Sequence, residues 1–236
     1  MLLNQISIEE INCLIMEIKE TNLFKRMEDA DFQQMLASTS VETFSKKVLS
    51  SQEVNANKKL YVILKGRVKC FHYDPNKDKK CTIYLLTEGD IFDILTFLDG
   101  ESHSIDRECI EDVTLLSIPI DKARDWIKEY PAFSISLLPY ISERMRKMEE
   151  TIADFSIFST LERLVKLLVN NITKENGENS LIKDLTDKEI AELIGTTRSV
   201  VNRHLQDLKK QGLIASDRKN IIIKDLKNLV KIIESI

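Results

Sequence analysis

The sequence of 236 residues contains only four cysteines, three histidines and six glycines. Cys13, Cys70, Cys81 and Cys109 are widely separated, and no Cys-x-x-Cys pair occurs. A zinc ribbon or a thiolate-ligated iron–sulfur cluster needs closely grouped cysteines, so neither is expected. The thiols read as reduced and mostly buried. His72, His103 and His204 fall in no His-Glu-x-x-His or related spacing, so no metal centre is expected. The few glycines form no phosphate-cradling loop. No nucleophile–base pair stands out either, so no catalytic residue is assigned and the chain does not read as an enzyme. No apolar run approaches the length of a membrane span. Met1 to Thr21 is amphipathic and interrupted by Glu9, Glu10, Glu17 and Glu20, which does not read as a secretory leader. The expected location is the cytoplasm, with no membrane partner.

What is present is enough apolar residue for real cores. The chain is 43% hydrophobic and 31% charged, with a net charge of −4, which fits a soluble protein of one large or two small domains.

The most informative stretch is Thr186 to Asn220. Thr186 followed by Glu189 is a capping box, a helix start signal. Ile190, Leu193 and Ile194 form an apolar stripe, and Gly195 supplies a tight bend. Thr196 or Thr197 caps a second helix with Val201, Leu205 and Leu208 inward, and Gly212 ends it. Two helices joined by so short a turn form a helix-turn-helix, whose second helix fits a DNA major groove. The polar face of that helix carries Thr197, Arg198, Ser199, Asn202 and Arg203. Arginine pairs with guanine and asparagine with adenine through two hydrogen bonds each. Between Thr196 and Lys224 the basic residues Arg198, Arg203, Lys209, Lys210, Arg218, Lys219 and Lys224 face only Asp207 and Asp217. In an acidic chain this local excess is the footprint of phosphate binding. The bland alternative is a helical hairpin with a solvated basic face.

Upstream, Ile6 to Leu36 reads as two short helices with a break near Asn22 to Met27. Val41 to Ile118 is rich in β-branched and aromatic residues and punctuated by turns. Strands are expected over Leu60–Leu64, Val68–Tyr73, Cys81–Leu86, Ile105–Ile110 and Val113–Ile118, with a hairpin loop at Asp74 to Asp78. Such a series implies an antiparallel sandwich or barrel. Asp121 to Glu129 reads as a short helix that Tyr130-Pro131 breaks before a long one begins. Leu138, Ile141, Met145, Met148, Ile152 and Phe155 alternate in steps of three and four, the seam of a coiled coil. The expected partner is the same helix of a second copy; the alternative is packing on the chain's own sandwich. Ser156 to Ser159 reads as a hinge and Thr160 to Ile172 as a further helix. Lys174 to Ser180 is a polar loop. Leu213-Ile214 and Ile221 to Ile223 form a wing with Arg218 and Lys219 at its tip. Asp225 to Ile236 closes the chain as a helix.

This order of parts resembles the Crp/Fnr family of bacterial transcription regulators over roughly Leu23 to Ile223. The helix-turn-helix sequence EIAELIGTTRSVVNRHLQDLKKQGLI carries the resemblance most specifically; YVILKGRVKCF and LLTEGDIF carry it more weakly. The resemblance implies an α+β chain in three parts. Residues 1–130 would be a cyclic-nucleotide-binding-like antiparallel β-roll, a double-stranded β-helix or jelly-roll sensor. Residues 131–158 would be a dimerisation helix and hinge, and residues 159–236 a winged helix-turn-helix. It implies a homodimer on an inverted-repeat operator, controlled by an unidentified signal in the roll, with RNA polymerase as a further partner and a small-molecule effector in the roll. Arginines matching Arg198 and Arg203 read guanine in many members. Ser199 stands where the cyclic-AMP branch has a glutamate, so a different operator is expected.

The effector pocket of the family maps onto Asp93, Ile94, His103, Ser104, Met148 and Glu149. Asp93-Ile94 and His103-Ser104 replace the cyclic-AMP branch's Gly-Glu and Arg-Ser pairs. A phosphate would meet Asp93 and lack its arginine, so cyclic AMP is not expected. Only Cys13 is near the position of the oxygen-sensing branch's cluster ligands, and the carbon-monoxide branch's haem ligands are missing after the Gly-Asp. Another haem arrangement on Cys70, His72, His103 or Met148, in a gas- or redox-sensing regulator, stays open. So does a ligand-binding module whose helix-turn-helix contacts protein.

Overall fold

The computed structural model describes residues 7–49, 58–171, 182–217 and 220–234. They fall into two compact units, one within Met1–His72 and Ile83–Met145, the other within Tyr73–Thr82 and Arg146–Ile236.

The first unit begins with helices α1 (Ile8–Lys19) and α2 (Asp29–Leu36). Ser7 caps α1 by accepting from the amide of Glu10 at 3.1 Å. Strands β1 (Ser40–Phe44), β2 (Lys47–Leu49), β3 (Lys59–Lys65), β4 (Val68–Asp74), β5 (Lys79–Leu86) and β6 (Ile91–Phe92) follow. Helix α3 (Ile94–Asp99), strands β7 (Asp106–Cys109) and β8 (Val113–Pro119) and helix α4 (Ile120–Glu129) lead to the long helix α5 (Pro131–Ile157). One sheet has the order β1-β8-β3-β6 and the other β2-β7-β4-β5. Strands β1 and β3 each pair antiparallel with β8, β3 pairs antiparallel with β6, and β2 and β4 each pair antiparallel with β7.

Successive side chains of a strand point to opposite faces. On β3 this sends Tyr61 and Ile63 between the two sheets, with Phe92, Val68, Cys70, Cys109, Val113 and Leu115. Leu60, Val62 and Leu64 go to the other face, under the helices, with Phe24, Phe32, Trp126 and Phe133. The apolar run Leu60–Leu64 therefore belongs to a strand covered on both sides. Tyr61 and Phe92, cross-strand partners, stack with centroids 4.7 Å apart. Such an aromatic pair contributes about 0.5–1.5 kcal/mol beyond its buried area.

In the second unit, Ser159 opens α6 (Thr160–Asn170) with a capping box. Helices α7 (Asp187–Ile194) and α8 (Arg198–Lys210), the hairpin of β9 (Ile214–Asp217) and β10 (Asn220–Ile223), and α9 (Leu226–Glu234) complete a winged helix. Leu164, Val165, Leu168, Ile190, Ile194, Val201, Leu205, Leu208 and Leu229 are buried. The amides of Lys224 and Asp225 both donate to Leu213 O, closing the base of the wing.

Several expectations are refined. Helix α3 and the short strands β1, β2 and β6 were not readable as separate elements. Helix α5 continues to Ile157, with Phe158 N donating to Asp154 O at 3.1 Å, so Ser156 is helical and only Phe158 and Ser159 separate α5 from α6. That corner is fastened. Lys166 Nζ meets Asp154 Oδ1 at 2.5 Å and lies 5.3 Å from the Phe158 ring centroid, while the Arg163 guanidinium lies 4.9 Å from that of Phe155. The polar loop Lys174–Ser180 lies outside the described residues.

Candidate functional site

The helix-turn-helix forms as its local signals dictate. Thr186 Oγ1 accepts from Glu189 N at 3.2 Å, and Glu189 Oε2 accepts from Thr186 N at 2.6 Å. Gly195 ends α7 at φ +67°, a left-handed conformation that costs other residues about 1–2 kcal/mol. Thr197 is the N-cap of α8, which decides between Thr196 and Thr197. Its hydroxyl does not cap the helix; it pairs with Ser199 Oγ at 3.0 Å. Val201, Leu205 and Leu208 are buried behind α8, which leaves Arg198, Ser199, Asn202 and Arg203 on the exposed face. Among the described residues neither Arg198 nor Arg203 is held in an ion pair, so both guanidinium forks are available to an acceptor. Asn202 Nδ2 donates to Asp187 Oδ2 at 3.1 Å, which orients its amide. Arg218 and Lys219, at the expected wing tip, lie outside the described residues.

Behind that face, His204 is half-buried, and its Nε2 meets Thr160 Oγ1 at 2.9 Å. Burial and the neighbouring Arg203 charge hold His204 below the usual histidine range. The contact ties α8 to the first residue of α6. Sequence reading missed it, because the two residues are 44 apart and neither sits in a motif.

The expected sensor residues lie in unlike environments within their respective units. Asp93 is buried at a left-handed φ of +64° and pairs with Arg107 of β7; their side chains are 1% and 6% exposed. Arg107 opposes Cys70 across the β4–β7 ladder, and Arg107 Nη1 also donates to Ile105 O at 2.9 Å. Arg107, four residues beyond His103, is thus an arginine beside Asp93 that the sequence did not point to, and it is already neutralised by Asp93. Burial pushes the Asp93 carboxyl above its usual range, against the pull of Arg107. Removing one partner of such a buried pair costs about 3–5 kcal/mol. His103 is half-buried, and burial holds it below its usual range, partly offset by Asp93. Ser104 is exposed, and Ile94 packs under the helices instead of between the sheets. Met148 and Glu149 are exposed on α5.

Cys70, one of the residues open as a haem ligand, is buried between the sheets, and burial pushes its thiol up to about 12. That environment disfavours the thiolate a metal would need. His72 is exposed. Among the described residues no three His, Cys, Asp or Glu side chains converge as a metal site, and no helix is long and apolar enough to cross a membrane.

The apolar seam of α5 is largely uncovered. Leu138, Met145 and Ile152 are 67%, 59% and 64% exposed, and Met148 is also exposed. Ile141 is the exception, packing against the core under the helices. Phe155 is also turned to its own chain, with its ring against Gly195.

Arg144 and Tyr140 of α5 meet the loop before Asp93. Arg144 pairs with Asp90, its guanidinium lies 5.0 Å from the Tyr140 ring centroid, and Tyr140 Oη accepts from Ile91 N at 2.9 Å.

Comparison with known proteins matches two segments of the chain. Residues 162–232 match the Crp-like helix-turn-helix domain family, and residues 45–130 match the cyclic nucleotide-binding domain family. The global nitrogen regulator of Synechococcus elongatus is 30% identical over 176 residues, 70% of this chain and 77% of that protein. The CRP-like cAMP-activated global transcriptional regulator of Mycobacterium tuberculosis is 29% identical over 177 residues, 73% of this chain and 79% of that one. Among solved structures, a CooA variant from Carboxydothermus hydrogenoformans shares the fold with a TM-score of 0.73 at 24% identity, over 90% of this chain and 96% of that one. The winged helix presenting Arg198 and Arg203, and the roll enclosing Asp93 and Arg107, are the two halves of a DNA-binding transcription regulator, and this chain belongs to the Crp/Fnr family.

Proposed function

We propose that the protein acts in the cytoplasm as a homodimer on an inverted-repeat operator, in three working parts: a sensor roll over residues 1–130, a dimerisation helix over 131–158 and a DNA-reading winged helix over 159–236. The observation that carries this reading is the exposed face of α8. Arg198, Ser199, Asn202 and Arg203 face outward there, and buried Val201, Leu205 and Leu208 hold the helix in place. Two such helices related by a two-fold axis would enter successive major grooves about 34 Å apart. Arg218 and Lys219 would add phosphate contacts.

The dimer is supported by the uncovered stripe Leu138, Met145, Met148 and Ile152 on one helix. A signal arising in the roll would act on α5, and through it on the spacing of the recognition helices, by favouring one dimer state. RNA polymerase is the partner through which a bound regulator would act on transcription. The roll's residues do not fit a cyclic nucleotide's phosphate, because the interior guanidinium of Arg107 already holds Asp93, and a second anion would be repelled by that carboxylate.

The test is selection of duplexes from a random pool, followed by anisotropy titration at several salt concentrations. An inverted repeat should emerge. The logarithm of its affinity should fall linearly with the logarithm of salt, with a slope of about −0.9 per phosphate neutralised. Affinity that ignores salt would favour a module whose helix-turn-helix contacts protein.

A further inference from the structure

Asp90 and Asp93 are the two carboxylates that flank the two-residue strand β6. They point to different partners. Asp90 pairs with Arg144 of α5, and Asp93 pairs with Arg107 of β7. Between them, Phe92 is stacked on Tyr61, while Ile91 is bound through its amide to Tyr140 of α5. Asp90 also fixes its own turn, accepting from Thr87 N at 3.0 Å. The segment Asp90–Asp93 is thus a short bar, anchored in the roll interior at one end and on the long helix at the other.

The interior anchor is expensive. A guanidinium whose side chain is only 6% exposed, on the residue that faces Cys70 across the ladder, requires an anion. The anion present is a side chain on a residue in a left-handed backbone conformation, which an aspartate tolerates and most residues do not. The fit is also incomplete: among the described residues, Asp93 Oδ2 and Arg107 Nε find no hydrogen-bond partner. Packing alone would be served as well by two apolar residues. What the pair does provide is a fixed position for Asp93, and therefore for β6 and Asp90.

We infer that Asp93 is a tethered anion for Arg107, occupying permanently the position a diffusible anion would take, and that it holds β6 where Asp90 and Ile91 grip helix α5. This rests on the reading of α5 as the dimer helix that sets operator affinity. It adds that the DNA-binding state is held without an anionic small molecule.

The test is chemical rescue in the full chain. Asp93→Gly removes the carboxylate, keeps the left-handed backbone accessible and leaves room for a one-carbon carboxylate. Its melting temperature should fall by on the order of 10 °C. Its affinity for the selected operator should weaken at least about tenfold. Formate in excess, compared with chloride at the same ionic strength, should restore both and leave the wild type unchanged. Asp93→Asn fills the same space without the charge, so it should lose operator affinity and gain nothing from formate.

An unchanged melting temperature in Asp93→Gly would overturn the inference. So would formate that fails to raise it, or that raises Asp93→Asn equally. Recovery of melting with operator affinity at the wild-type level throughout would overturn the link to α5. If no operator is selected by the wild type, the DNA-binding reading fails, and the melting arm still decides whether Arg107 takes an anion. Should Asp93→Gly not fold in chloride, expression and refolding in formate give the same decision: folding there and not in chloride supports the tethered anion, and failure in both overturns it.

Discussion

The ring of Phe155 lies so close to Gly195 that a β-carbon on the glycine would stand 2.8 Å from Phe155 Cε1. The end of the long helix and the turn of the helix-turn-helix therefore touch at a point where no side chain fits. Gly195 is needed for this approach as well as for its φ of +67°.

Gly195→Ala should destabilise the chain by about 2 kcal/mol, from left-handed strain and from the displaced ring. Adding Phe155→Ala should return the portion due to the ring and leave the strain. Urea melts of the two singles and the double variant measure this coupling. Additive losses would mean that the ring moves aside without cost.

Arg203→Ala should weaken operator binding by about 1–3 kcal/mol and relax the base preference at one position of each half-site. Ser199→Glu places a carboxylate acceptor on the same face and should shift one position of the selected operator toward cytosine. Selection with each variant reads both effects. Unchanged operator sequences would move base reading away from α8.

The double variant Met148→Lys/Ile152→Lys puts two charges on the uncovered stripe of α5. It should sediment as a monomer and lose affinity for the inverted repeat. Its melting in the dilute monomer should change little, because neither side chain belongs to the chain's own core. A variant that stays a tight dimer would relocate the interface.

The histidines give a pH dependence with a definite sign. Unfolded, His204 takes its proton near 6.5; in the fold, burial and Arg203 hold it lower. Between those two values the unfolded chain binds more protons. The stability due to neutral His204 is therefore complete above about 6.5 and is lost as pH falls toward the folded value. His103 shifts in the same direction. The urea midpoint should drop between about pH 7.5 and about pH 5.5, and His204→Gln should drop less than the wild type. Equal drops would show that the imidazole beside Thr160 takes a proton in the fold as readily as in the unfolded chain.

The DNA-reading half was legible because its signals are local. The Thr186–Glu189 box, the left-handed Gly195 and the spacing of Val201, Leu205 and Leu208 act within one or two helical turns. The roll was legible only as a class of fold. Its two-residue strand β6 and six-residue helix α3 have no periodicity of their own and form because neighbours pair with them. The Asp93–Arg107 partnership could not be read, since it depends on which face of β7 carries Arg107. A slip of one residue in the β4–β7 register would turn that guanidinium to the opposite face. The seam on α5 was legible as a stripe, but the fate of two of its members was not: Ile141 is claimed by the chain's own core, and Phe155 by the glycine turn.

The fastened corner between α5 and α6 bears on how the DNA-reading part can be excised. A fragment beginning at Thr160 would strip Arg163 and Lys166 of Phe155, Phe158 and Asp154, and would uncover the turn at Gly195. The shortest fragment expected to fold with its recognition helix in place therefore begins upstream of Asp154 and keeps the last turn of the long helix as part of its own structure.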